Sequence, residues 1–168
     1  GKHLKTYDKT NNHYMSELIS GLKRENFQAV VQGKETDLYT LKNATGMEVC
    51  ITNYGGAIMA IMVPDKEGKM ANVIQGHDSI QNMVNSPEPF LSTLVGRYGN
   101  RIAKAQFTLD GTTYNLAVND NRNHLHGGKE GFDAKIWTPI FKGDNCIRFA
   151  PLYIDPQQYA SIHGLNEN

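Results

Sequence analysis

After residue 30 no stretch of this chain keeps apolar residues at helical spacing for three turns, and that absence constrains the fold more than any other feature. Short apolar runs recur instead, cut by turn-forming residues every 8–12 positions. Residues 28–31, 38–41, 47–52 and 57–63 read as strands, separated by Gly33, the turn from Asn43 to Gly46, Gly55-Gly56 and residues 65–69. Gln106-Phe107-Thr108-Leu109 and Thr113-Tyr114-Asn115-Leu116 then alternate apolar and polar residues. Asp110-Gly111 joins them, the strongest short-range signal of a two-residue hairpin. Residues 136–141 and 146–153 complete the series around Gly143-Asp144-Asn145. Such spacing predicts an all-β, antiparallel sandwich or barrel. Ahead of it lies a polar segment, residues 1–26, in which Met15, Leu18, Ile19 and Leu22 are spaced for a short helix or a loose arm. Residues 27–155 form the β portion in this reading, and 156–168 a polar tail.

Two runs within that β portion carry chemistry. One is Gly96-Arg97-Tyr98-Gly99-Asn100-Arg101-Ile102, the other Asn123-His124-Leu125-His126-Gly127-Gly128. Each sets charged or protonatable side chains among glycines, where backbone can approach a small polar ligand. The Asp110-Gly111 hairpin lies between them, so both runs are expected at one mouth of a β structure. Arg101 offers a fixed fork of donors suited to two oxygens at once, and Asn100 stands beside it. Spacing alone leaves Arg97 as an equal candidate to face a ligand, and a structural ion pair as the other role for Arg101.

His124 and His126 are two apart and share a face if the run is a strand. Imidazole is the usual proton carrier near neutral pH, whereas a hydrogen-bonded wall residue is the plainer role for each. With Glu130 they also form His-x-His-x-x-x-Glu, a spacing used by metal-binding cupin barrels; the glycines which flank that pattern are replaced here by Val118 and Trp137. Asp133 reads as a turn residue that caps Gly131-Phe132 or accepts a hydrogen bond there, and Trp137 as core before sugar platform. His77 reads as a surface or turn residue, and His163 has no supporting context.

Composition narrows the ligand. Lysine plus arginine and aspartate plus glutamate number 17 each, so no basic field exists to hold a nucleic acid or an anionic membrane. A small neutral ligand fits this balance. Cys50 and Cys146 both fall in strand-like runs and read as buried free thiols rather than a disulfide framework. The sequence opens on Gly1-Lys2-His3, which suggests a tag remnant or a removed leader and leaves cytoplasmic and exported locations both open.

Residues 53–137 resemble the N-terminal half of the aldose 1-epimerase (galactose mutarotase) family. The resemblance rests on Asn53-Tyr54-Gly55-Gly56, on the two runs above with Ala103, on Phe107-Thr108-Leu109-Asp110-Gly111, and on Gly131-Phe132-Asp133 with Trp137. Five ordered runs at natural spacing make it specific. It reaches back to Glu25-Asn26-Phe27, which is similar to the family's opening strand. The resemblance implies an antiparallel β-sandwich and the interconversion of α and β anomers of aldohexoses such as galactose or glucose, without metal or organic cofactor. In that reaction a carboxylate takes the anomeric hydroxyl proton while a histidine protonates the ring oxygen. Arg101 looks like the family's sugar-binding arginine, Asn100 its pocket neighbour, and His126 the first of two active-site histidines. His124 falls where the family varies and reads as a wall or surface residue.

The family's second histidine, its catalytic glutamate and a sugar-binding aspartate belong to later runs with no counterpart in these 168 residues. An inactive sugar-binding or structural relative of the fold is therefore the alternative reading, and a metal-binding cupin-like protein a further one. Half a sandwich would leave an apolar sheet face open, so a homo-oligomer that covers this face is also expected.

Overall fold

The computed structural model describes residues 18–144 and 146–150 of the chain. Strands β1 (Val30–Val31) and β2 (Lys34–Glu35) form a small hairpin. Four longer strands follow: β3 (Leu38–Lys42), β4 (Glu48–Thr52), β5 (Ile58–Pro64) and β6 (Met70–Asn72). They pair in sequence order as one antiparallel meander. Its turns are built by short acidic or amide side chains that replace missing backbone partners. Asn43 Oδ1 accepts from the Thr45 and Met47 amides, and Asp65 Oδ1 from those of Glu67 and Lys69.

The sheet turns one face inward. Along β4, Glu48, Cys50 and Thr52 are buried while Val49 and Ile51 are only half-buried, the period of two expected of a strand with one covered face. A register shift between Cys50 and Ile51 lets Met59 and Ala60 of β5 both be buried. Phe27, Leu38, Cys50, Ala57, Met59 and Ala60 form the core, closed by Ile80 and Met83 from the short helix α1 (Ile80–Val84). Ser79 caps α1 by accepting from the Asn82 amide at 3.1 Å.

The start of the described chain differs from the sequence reading. Met15 lies outside the described residues; Leu18, Ile19 and Leu22 do not continue into a helix, and Arg24–Phe27 is a single 3-10 turn, not an opening strand. Tertiary contacts override the spacing. The wholly buried Glu48 carboxylate accepts from the Ile19 and Ser20 amides, and Arg24 grips Asp37 with two nitrogens at 2.8 and 2.6 Å.

In the second half, β7 (Arg101–Ile102) leads through a 3-10 turn into the hairpin of β8 (Gln106–Leu109) and β9 (Thr112–Asn115). Strand β10 (His124–Leu125) returns to pair with β7. A further 3-10 turn (Phe132–Ala134) precedes the last hairpin, β11 (Thr138–Lys142) with β12 (Ile147–Ala150). Every pairing is antiparallel, and the strand readings hold to within a few residues at their ends. The 146–153 run is described only to residue 150, and His163 with the 156–168 tail lies outside the described residues. Cys50 is buried, Cys146 partly so, and both thiols are free. Burial pushes the Cys50 thiol up, and the neighbouring Glu48 carboxylate adds to the rise.

The Asn53–Gly56 turn docks the meander onto the later segment. Trp137 N–H donates to Asn53 O at 2.8 Å, Asn53 Nδ2 returns to Trp137 O at 3.1 Å, and Gly55 N–H reaches Lys135 O at 2.7 Å. Gly55 is required there, since its φ is +64° and a methyl group would run into the Asp133 carbonyl. Several large apolar side chains stay exposed, among them Leu94, Val95, Tyr98, Phe107, Leu109 and Val118. Among the described residues no helix is long and apolar enough to cross a membrane.

Candidate functional site

The two glycine-flanked runs meet. Arg101 pairs with Leu125 and Ile102 with His124 across β7 and β10, two-residue strands that a sequence pattern cannot announce. The contact continues one residue further. His126 N–H donates to Asn100 O at 3.1 Å, and Asn100 N–H donates to His126 Nδ1 at 2.9 Å. This reciprocal pair has a chemical consequence. With Nδ1 occupied as acceptor, a neutral imidazole keeps its proton on Nε2, which is then a donor.

Both partners lie in the left-handed region, Asn100 at φ +67° and His126 at φ +51°. Non-glycine residues hold that conformation only when their surroundings impose it, and such residues gather at functional sites. Here the surroundings are backbone. Gly127, at φ +89°, lies against the Gly96 carbonyl so closely that no side chain would fit. The same carbonyl accepts from Phe132 N–H at 3.0 Å. The glycines thus bring one loop against another, a different use from closeness to a ligand alone. The His126 ring also meets the Phe90 ring edge-on, centroids 4.7 Å apart.

Arg101 stands 55% exposed beside this pair. Its Nε donates to Asp120 Oδ2 at 2.6 Å and its Nη1 to Asn100 Oδ1 at 3.3 Å. One edge of the guanidinium is thus braced, and the arrangement holds the arginine, Asn100 and His126 side by side. Arg97, its equal by spacing alone, sets its guanidinium 5.7 Å from the centre of the Phe132 ring.

His124 is a buried wall residue. Its Nδ1 lies 2.8 Å from Ala117 O, and Gly128 packs directly on its ring. The two histidines are thus divided between packing and site, and among the described residues no group of three histidine, cysteine or acidic side chains is placed to hold a metal. Trp137 is buried with its ring edge-on to Phe132 at 5.3 Å, and its core reading stands. Asp133 differs from its reading as a cap. It is buried in the middle of the Phe132–Ala134 turn, that turn has no side-chain cap, and its Oδ1 has no hydrogen-bond partner. His77 is half-buried and lines a groove of about 350 Å³ together with Tyr54, Glu88, Phe90, Lys129 and Asp133. Phe90 lines this groove and also meets the His126 ring.

Sequence reasoning missed Phe90, Asn119 and Asp120. Asn119 acts as a substitute strand: its amide donates to Leu125 O at 2.8 Å and accepts from Leu125 N–H at 2.7 Å, closing the free edge of β10. The only sequence signal for this pair is the turn-rich run Asn119-Asp120-Asn121. Nothing in the sequence marks Phe90.

The aldose 1-epimerase family matches residues 37–148, more than half of the chain. A galactose mutarotase from Bos taurus is 43% identical over 107 residues, covering 62% of this chain and 31% of that protein. An aldose 1-epimerase from Escherichia coli K12 is 34% identical over 118 residues, 70% of this chain and 34% of that one. The chain thus spans about a third of the length of the curated relatives it matches. Among solved structures, galactose 1-epimerase from Lactobacillus acidophilus aligns with a TM-score of 0.56 at 29% identity, over 67% of this chain and 32% of that chain. An aldose epimerase homologue from C. elegans aligns with a TM-score of 0.64 at 24% identity, over 68% and 35%, which speaks for the fold.

Proposed function

The chain belongs to the aldose 1-epimerase family, with the β-rich galactose-mutarotase type of fold, and on that premise we propose that the protein interconverts the α and β anomers of an aldohexose such as galactose or glucose. The observation that carries the proposal is the Asn100–His126 bond pair, set beside Arg101. In the proposed reaction a carboxylate takes the proton of the anomeric hydroxyl while an imidazole donor protonates the ring oxygen. The ring opens, the aldehyde carbon rotates about its bond to the next carbon, and closure on the other face returns both protons. His126 offers an Nε2–H donor fixed in tautomer by the Asn100 amide, which suits it to the ring oxygen. Arg101 and the Asn100 side chain offer donors to sugar hydroxyls, with Asp120 bracing the guanidinium against the neutral ligand. Asp120 is committed to Arg101 and is not the base.

A sugar-binding relative without turnover is the second reading. It is favoured by the donor side of the site being the part that these residues supply. Polarimetry of freshly dissolved α-galactose and α-glucose separates the two. The expected outcome is a mutarotation rate above that of buffer, lost in His126→Gln. A rate equal to buffer, with galactose binding by calorimetry that Arg101→Ala abolishes, establishes the second reading instead. We include in the proposal that the exposed apolar residues pair with another copy; a monomer in size-exclusion chromatography ends that part.

A further inference from the structure

Asp133 is the one polar side chain among the described residues whose burial the fold does not explain. It is 7% exposed, and its Oδ1 receives no hydrogen bond. Its surroundings make this sharper. A methyl group placed on Gly131 would sit 2.7 Å from the His126 carbonyl oxygen, 2.9 Å from Asp133 Oδ1 and 3.0 Å from the Gly96 carbonyl oxygen. Three oxygens therefore converge on one small space beside the glycine. The Gly96 carbonyl already accepts from Phe132 N–H, and carbonyls cannot donate to one another or to a carboxylate. An ionised carboxylate would add charge to a cluster of acceptors; a protonated one supplies the donor that the cluster lacks.

His77, Glu88 and Lys129 line the same groove as Asp133. The backbone amide of Asp133, His126 in the turn after β10 and Lys135 on its own segment all favour ionisation, while Tyr54 faces it from the Asn53–Gly56 turn. Burial outweighs them and raises the carboxyl above its ordinary range.

We propose that Asp133 is a positioning residue for His126: its neutral carboxyl donates into the carbonyl pair of His126 and Gly96 and so holds the left-handed turn that aims the imidazole. The role of His126 as proton donor rests on the function proposed above; the state of Asp133 does not. In this arrangement the carboxyl holds the peptide of His126 while the Asn100 amide donates to its ring Nδ1. Neither contact is made by a residue within the β7–β10 ladder, so the two-residue strands alone do not set the ring's direction.

The test compares Asp133→Asn, which keeps a neutral donor, with Asp133→Ala, which removes it. In the sugar-free protein, carbon-13 NMR of the aspartate carboxyls is expected to show Asp133 titrating above the ordinary carboxylate range. Nitrogen-15 spectra of the imidazoles are expected to keep the Nε2–H form of His126 in Asp133→Asn and to lose it to exchange in Asp133→Ala. For anomer exchange, Asp133→Ala is expected to lower kcat about tenfold with KM little changed, and Asp133→Asn to recover most of it. Titration of Asp133 within the ordinary carboxylate range overturns the proposal. So does an Asp133→Asn spectrum as disturbed as that of Asp133→Ala. Should Asp133→Ala fail to fold, the wild-type titration and the Asp133→Asn spectrum still decide. Should the wild-type protein not accelerate mutarotation, the proposed function falls while the NMR results judge Asp133 on their own.

Discussion

The β3–β6 meander and the paired loops around Asn100 and His126 are both antiparallel β structure, yet they are held together differently. The meander is held by side chains. Strands β3, β4 and β5 bury Leu38, Cys50, Met59 and Ala60 against α1 and the Arg24–Phe27 turn, and each strand of the meander lies next to its neighbour in sequence. The site is held by backbone. Its strands are two residues long and its partners are more than twenty residues apart in sequence. Glycine–carbonyl contact, one asparagine side chain and two left-handed residues do the work of a core. Burial tolerates a changed side chain in proportion to the volume lost; backbone contact tolerates almost none.

His126→Gln presses hardest on that comparison. It is expected to reduce the enzymatic rate about a hundred- to ten-thousand-fold in polarimetry, with the urea midpoint nearly unchanged, because the ring serves the site and not the core. Met59→Ala is expected to do the opposite. Removal of a side chain buried to 1% exposure costs about 2–5 kcal/mol in urea titration, while the His126 resonances of the folded fraction stay in place. A Met59→Ala protein with wild-type stability would show that the meander is not the stabilising body.

Gly127→Ala tests the backbone claim directly. Strain at φ +89° and overlap with the Gly96 carbonyl are expected to cost about 1–3 kcal/mol and to shift the Asn100 amide in NMR spectra, although no core volume changes. Unaltered Asn100 and His126 signals would end the backbone account. Asp133→Asn sharpens it through pH. Because burial raises this carboxyl in the folded state, its contribution is fully present below the ordinary carboxylate range and is lost as pH rises through the folded value. The Asn variant is therefore expected to gain stability relative to the parent as pH increases, seen as a growing difference in melting temperature. Smallest of all, Asp120→Asn is expected to change stability by less than about 1 kcal/mol, since Arg101 is more exposed than buried, while weakening sugar binding measured by calorimetry.

What could be read from the residues in order follows from range. The Asp110-Gly111 hairpin was legible because a two-residue turn needs only its own two positive φ values, +51° and +78° here, and the pairing register follows from it. The meander was legible for the same reason, as its turns and its period of two are local. Arg101, Asn100 and His126 were singled out as residue types among glycines, and the five matching runs named their family.

Tertiary structure alone decided which arginine is braced beside Asn100 and which histidine is packed away, since Arg97 and Arg101, or His124 and His126, differ in sequence only by position. Among the described residues before 27 it placed a turn tied to Glu48 and Asp37, a contact between positions far apart in the chain. It placed Phe90 on the His126 ring and left Asp133 buried among carbonyls, where the sequence suggested an ordinary cap. Local chemistry determines what a segment can become. Which partner it meets, and which charge is then left without one, depends on atoms that only the folded chain brings within reach.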